Sequence, residues 1–353
     1  MRHEGPFLRH RWGFLLPACL GSATMVGGLG AQTGAAHEYH VARQLKLGGD
    51  GRWDYIVLDT ASNRLFIARQ DRVMVVDPDH GKLLGEVRGL DGAHGVALDY
   101  ATHHGFATSG RDGSVIMFDL KTLKELGRTR AADDADAILF DPASKHVFTF
   151  NGDAHSSTVV DPASGQAIGS IALGGKPEFG VSGGDGKLYV NIEDRAEIAE
   201  IDAAAQKVTR RWSLAPCTEP TGLAIDRAHH RLFSGCHNRV MAISDVTTGK
   251  VIATVPIGGG VDGDGFDPGT GLAFSSDGEG TLTVVHQDSP TKYRVVSTVP
   301  TKRGARTMAL DPHTHRIFTV TADLGPPPPP TEEQPHPRPI VVPDTFTLLI
   351  LER

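Results

Sequence analysis

AILFDPASKHVFTF, residues 137–150, decides the fold, because the chain writes this pattern seven times. A short apolar run ends in an acidic or small residue, a turn follows, and a second apolar run begins. The other copies are YIVLDTASNRLFIA (55–68), GVALDYATHHGFAT (95–108), FGVSGGDGKLYVNI (179–192), GLAIDRAHHRLFSG (222–235), GDGFDPGTGLAFSS (263–276) and TMALDPHTHRIFTV (307–320). The anchors that close the first run are Asp59, Asp99, Asp141, Ser182, Asp226, Asp267 and Asp311, spaced 40 to 44 residues apart. Such a period, built of short β-rich runs, predicts an all-β, seven-bladed propeller with one four-stranded blade per repeat.

Two further strands follow each hairpin. In the first repeat they are VMVVD (73–77) and LLGEV (83–87), in the second VIMFD and LKELG, in the third STVVD and AIGSI. Turns such as Pro78-Asp79-His80-Gly81 and Pro162-Ala163-Ser164-Gly165 separate them, with the Pro and Gly that tight turns use. The last repeat holds only Met308–Leu310, Ile317–Thr321 and Phe346–Leu351 before the chain stops. The segment HVARQLKL (40–47) resembles the missing outer strand, so the N-terminus is expected to complete the seventh blade and leave only short, protected edges.

The hairpins IFTVTA (317–322) and LYVNIE (188–193), the stretch VVDPASGQAIGSI (159–171) and the spacing resemble the YVTN repeat of the YncE-like seven-bladed propeller family. The resemblance covers nearly all of residues 40–353. It implies an exported protein of the periplasm or cell surface. DNA binding is associated with one relative, and lactonase-like names with neighbouring propellers. A propeller hosts unrelated functions, so the resemblance fixes the fold and not the activity.

Residues 1–36 read as an export leader. Arg2, Arg9 and Arg11 precede an apolar stretch from Phe14 to Leu20, and the small residues of GGLGAQTGAA follow, with cleavage expected near Ala31 or Ala36. The remaining stretch, 37–353, is then a single propeller, expected to be a monomer without a membrane-spanning segment. The whole chain carries a formal charge of −7. Without the leader 32 basic residues face 41 acidic ones, a balance of −9. That balance, with 6% aromatics, argues against a nucleic-acid partner, which needs a basic face and stacking platforms. The partner classes left are a small molecule or an envelope protein.

Two cysteines lie beyond the leader. Cys217 sits in the connection entering the fifth blade and Cys236 just after that blade's second strand. In an antiparallel blade those two places share a face, so an exported chain is expected to join them in a disulfide. Two buried thiols, or a thiolate metal pair with His237, are the alternatives.

The same topology gathers a candidate site. The connections entering the blades contribute Trp53, Asp54, His94, Asp136, Glu178, Glu219, Asp262 with Asp264, and Arg306. The turns after each second strand contribute Arg69, Arg111, Asn151, Asn191, Glu193, His237, Asn238 and Asp277 as an outer ring on that face. An acidic funnel with a histidine and an arginine suits a small ligand or a divalent cation. Asp54, Asp136, Glu178 and Asp262 are the candidate ligands for Ca²⁺ or another ion. The primary expectation is a ligand-binding or scaffold propeller of the cell envelope. The alternative is a metal-dependent hydrolase or lyase of lactonase type, in which an axial metal polarises an ester carbonyl; DNA binding comes third. The anchor aspartates repeat as turn builders, and the histidines at 103, 104, 229, 230, 313 and 315 fall on the opposite face, so neither group is assigned chemistry. The Pro-rich insertion Gly325–Pro343 interrupts the seventh blade on the funnel side, where it reads as a lid or docking arm, or else as a free surface loop. No nucleophile elbow, Walker loop, dinucleotide fingerprint, HExxH or CxxCH is present.

Overall fold

The computed structural model describes residues 38–331, 335 and 337–353. The export leader read over residues 1–36 lies outside the described residues. Seven four-stranded antiparallel sheets form the propeller. Blade 1 comprises Ile56–Asp59, Arg64–Arg69, Arg72–Asp77 and Lys82–Arg88, innermost strand first. Blades 2 to 6 open with Ala93–Asp99, Ala135–Asp141, Pro177–Ser182, Pro220–Asp226 and Val261–Asp267 and follow the same order. Blade 7 is built from Met308–Leu310, Ile317–Thr321 and Thr347–Glu352, and its outer strand is His40–Lys46. His40 pairs with Glu352 and Lys46 with Thr347, so the N-terminal strand closes the ring as the incomplete last repeat required.

The second strand of each blade is buried on both sides, which is why these segments read as unbroken apolar runs. In Arg64–Arg69, Leu65 and Ile67 pack against blade 7, while the alternate residues Phe66 and Ala68 pack against blade 2. Each pair of adjacent blades encloses one such cluster. The cluster of Phe148, Phe150, Leu188 and Val190 joins blades 3 and 4, and that of Leu272, Phe274, Leu349 and Leu351 joins blades 6 and 7. The anchor aspartates hold the first hairpin turn of their blades. Asp59 accepts from the amides of Ala61 and Ser62, Asp226 from Ala228 and His229, and Asp311 from His313.

At the opposite end of the hairpin a second repeated contact ties each entering connection to the turn after the second strand. The Gly110 amide donates to Gly92, Gly152 to Asp134, Glu193 to Lys176, His237 to Glu219 and Gly278 to Gly260. These bonds put the two loop sets on one face, and the Cys217–Cys236 disulfide, with Cα atoms 5.7 Å apart, staples them in blade 5. Among the described residues no helix is long and apolar enough to cross a membrane.

Deleting residues 38–46 exposes the paired edge of Thr347–Glu352, and the truncated chain is expected to lose its cooperative thermal transition or to associate. A sharp monomeric transition near that of the full chain would refute the closure role. Replacing Cys217 and Cys236 together by Ser opens a loop of sequence separation 19. The expected loss in urea denaturation is about 3 kcal/mol.

Candidate functional site

The innermost strands of blades 2 to 6 each begin with a register shift against their partner. The shifts fall between Ala93 and Val96, Ala135 and Ile138, Pro177 and Gly180, Pro220 and Leu223, and Val261 and Gly263. A bulge of this kind re-aims the extra residue, and the residues concerned include His94, Asp136, Glu178, Thr221 and Asp262. Asp54 and Arg306 occupy the corresponding positions in blades 1 and 7, so each blade delivers one side chain to the axis. All seven line a cavity of about 680 Å³.

Neighbours around this ring pair with one another. Asp54 Oδ2 lies 2.6 Å from His94 Nδ1, and Asp136 Oδ1 lies 3.3 Å from the same nitrogen. On its other side Asp54 accepts from Arg306 Nη2 at 3.3 Å, and Arg306 Nε donates to Asp262. Lys176 reaches both Glu178, at 2.8 Å, and Glu193, at 2.5 Å. His94 packs over a glycine: a Cβ on Gly110 would stand 2.7 Å from its Nε2. Asp136 Oδ1 is buried and has no partner in hydrogen-bond geometry.

Burial and crowding shape the protonation of these groups. Burial disfavours the His94 imidazolium, but the Asp54 hydrogen bond and the Asp136 charge outweigh it and push its pKa up to about 9. Burial raises Asp136 to about 7, with the Asp54 charge adding to the rise against the opposing pull of His94. Burial and the Asp136 charge raise Glu178 to about 9. Tyr55, fully enclosed beneath Asp136, Asp262, Glu178 and Asp54, has its phenol held well above the ordinary range, first by burial and then by those carboxylates.

The structure separates the sequence candidates. Asp54, His94, Asp136, Glu178, Asp262 and Arg306 meet at the axis, with Trp53 as a wall residue whose Nε1 donates to Gly304 O at 3.3 Å and whose ring packs on Phe346. His237 reaches the rim. Several candidates do not reach the cavity. Asn191 is buried, donates to the carbonyls of Thr221 and Gly222 and accepts from Ser234, which leaves it a strut between blades. Glu219 is exposed beside His237, two positions short of the register; blade 5 presents Thr221 instead, whose hydroxyl donates to Val261 O at 2.7 Å. Arg69, Asn151 and Asp277 are likewise buried and bonded within their own blades or connections. The four-carboxylate cation set does not assemble either, because Lys176 takes Glu178 and Arg306 takes Asp262. Among the described residues the one group with metal-ligating atoms within 4.8 Å of one another is Asp54, His94 and Asp136.

The funnel is also not acidic. Six carboxylates line the cavity, but so do Arg52, Arg111, Lys176, Arg303, Arg306 and Arg338. The carboxylates of the ring sit deep, and most of the arginines sit at the mouth. Arg338 arrives from the Pro-rich insertion, which is held by the Leu324–Val341 bridge and by Arg52 Nη2 donating to Pro339 O at 2.8 Å. Residues 332–334 and 336 of the insertion lie outside the described residues. Tyr55, Lys176, Thr221, Arg52, Arg303 and Arg338 were not singled out from sequence. The five-residue offset from anchor to axis that gives Asp54, His94, Asp136, Asp262 and Arg306 would have found Thr221 from Asp226; the arginines of the rim carry no repeat signal.

No protein-family model and no curated protein matches the chain. Solved structures do. A chain of the Kuenenia stuttgartiensis hydrazine synthase is similar with a TM-score of 0.66 at 17% identity, over 78% of this chain and 92% of that one. The U3-55K structure is similar with a TM-score of 0.71 at 9% identity, over 89% and 98%. At these identities the likeness is one of propeller fold.

The raised pKa of Glu178 has a signed consequence. The folded chain keeps that proton up to about 9, whereas the ordinary value is 4.5, so between them the native state binds more protons and stability falls as pH rises. Glu178→Gln, which cannot ionise, is expected to flatten the decline by up to about 1.4 kcal/mol per pH unit in denaturation experiments across that window. An unchanged slope would contradict the assignment.

Proposed function

We propose that the chain is an exported binding propeller of the cell envelope whose ligand is a small polar molecule held in the axial cavity. The observation that carries this reading is the convergence of one side chain from each blade, through bulges in blades 2 to 6, on a single cavity where Asp136 Oδ1 is left buried without a hydrogen bond. Buried polar atoms are ordinarily satisfied, and a cavity of this size matches small-ligand sites. The Cys217–Cys236 disulfide supports an oxidising compartment, as does the leader-like N-terminus. The YncE-like resemblance points the same way, and the acidic overall charge continues to argue against DNA.

The Asp54–His94–Asp136 group favours a second reading, a metal-assisted hydrolase or lyase. Its mixed nitrogen and oxygen donors suit Zn²⁺ or a similar ion better than Ca²⁺, which takes more oxygens. Arg306 and the proton on His94 already compensate Asp54, so a metal would have to displace that arrangement.

A thermal-shift screen of small polar metabolites and of Zn²⁺ and Ca²⁺ separates the readings. Polar compounds are expected to raise the melting temperature of the wild type by several degrees and to lose the effect in Asp136→Asn. A shift with Zn²⁺ alone, abolished by His94→Ala, would establish the second reading in place of the first. No shift with any compound would sink the ligand site itself.

A further inference from the structure

Arg52, Arg303 and Arg338 converge on the mouth of the axial cavity from three separate segments: the entry to blade 1, the entry to blade 7 and the Pro-rich insertion. None of the three has a carboxylate partner among the described residues. Arg52 donates to the backbone carbonyl of Pro339, and its guanidinium pKa is lowered by burial and by the charges of Arg338 and Arg306 facing it. The other cations of the lining are compensated: Arg306 by Asp54 and Asp262, Lys176 by Glu178 and Glu193, Arg111 by Asp91 at 3.2 Å. On the acidic side Asp54 pairs with His94 and Arg306, Asp262 with Arg306, Glu178 and Glu193 with Lys176, and Asp136 Oδ1 stands 3.3 Å from His94 Nδ1, while Asp134 has no ion pair among the described residues. Among the described residues the rim therefore sets three arginines against one unpaired carboxylate, Asp134, an excess of positive charge in a chain at −7 overall.

We propose that the ligand of this cavity is a small polyhydroxylated molecule bearing an oxyanion, either a carboxylate or a phosphate monoester. The assignment rests on the reading of the cavity as a ligand site and adds the ligand's chemical class. The planar guanidinium fork matches both oxyanions and binds them through paired N–H donors. The arginines hold the oxyanion at the mouth. Deeper in, Asp136 and Glu178 accept from ligand hydroxyls, or donate to them when protonated, and the His94 imidazolium donates. Asp136 Oδ1 then gains the hydrogen bond it lacks.

Calorimetric titration with D-glucuronate, D-glucose 6-phosphate, D-glucose and D-glucosamine tests this on the full chain. Glucuronate or glucose 6-phosphate is expected to bind at least tenfold more tightly than glucose, with glucosamine weakest. The ratio of the two acids identifies which oxyanion is preferred. Arg52→Gln with Arg338→Gln, both exposed positions whose change spares the core, is expected to weaken the acids tenfold or more and to leave glucose unaffected. Glucosamine binding as well as glucuronate, or acid affinity unchanged in the double variant, would overturn the oxyanion assignment while leaving the cavity a ligand site. Binding by none of the four also overturns it, and the polar-compound screen then shows whether the ligand site has failed with it.

Discussion

Burial of each blade's middle strands on both faces is the constraint from which the rest follows. A strand such as Arg64–Arg69 cannot satisfy Leu65 and Phe66 with one neighbour, since alternate residues point to opposite sides. Every blade therefore needs two neighbours, and an open row of such blades would expose apolar faces at both ends. The ring removes the ends. Its last seam is made by the antiparallel pairing of His40–Lys46 with Thr347–Glu352 and by the cluster in which Ile56 and Leu65 meet Phe318 and Leu348.

Closure also sets the site. Once the blades are radial, whatever stands at the head of each innermost strand faces the axis, and the bulges in blades 2 to 6 turn those residues inward. The ring sequence Asp54, His94, Asp136, Glu178, Thr221, Asp262, Arg306 alternates poorly in charge, so the molecule compensates locally. Arg306 bridges Asp262 and Asp54, His94 sits between Asp54 and Asp136, and Lys176 is drawn to Glu178. Four like-charged carboxylates would otherwise stand in a low-dielectric pocket, which is costly unless they are paired or protonated.

The fold was legible because its information is repeated. Seven copies of an apolar–anchor–apolar pattern constrain one another, and the short final repeat announced its own missing strand. The disulfide was legible for the same reason, since blade topology placed Cys217 and Cys236 on one face. The site was legible only as far as register reaches. Six of the axial residues lie where the repeat puts them, but Glu219 drew attention by its chemistry although the blade's register position is Thr221. Asn191 looked like a rim residue and is instead a buried strut, because a turn position does not reveal which way its side chain is pulled. The charge of the funnel was misjudged because counting carboxylates at the blade entries omits cations from elsewhere. Lys176 precedes the bulge, and Arg338 belongs to an insertion with no counterpart in the other blades.

That insertion shows how a non-repeating segment can complete a repeating scaffold. Proline fixes φ, so Pro337 and Pro339 restrict the backbone of this Pro-rich arm on either side of Arg338. Its base is held by the Leu324–Val341 bridge and by the Val342 amide on Asp323 O, and its return is tied to Gly49 through Asp344. Arg52, from the first blade, grips the arm at Pro339. Arg52 is thus positioned by a backbone carbonyl rather than by an opposing carboxylate. Among the described residues the guanidinium groups of Arg52, Arg303 and Arg338 have no carboxylate partner, which distinguishes the mouth of this propeller from the ion-paired ring beneath it.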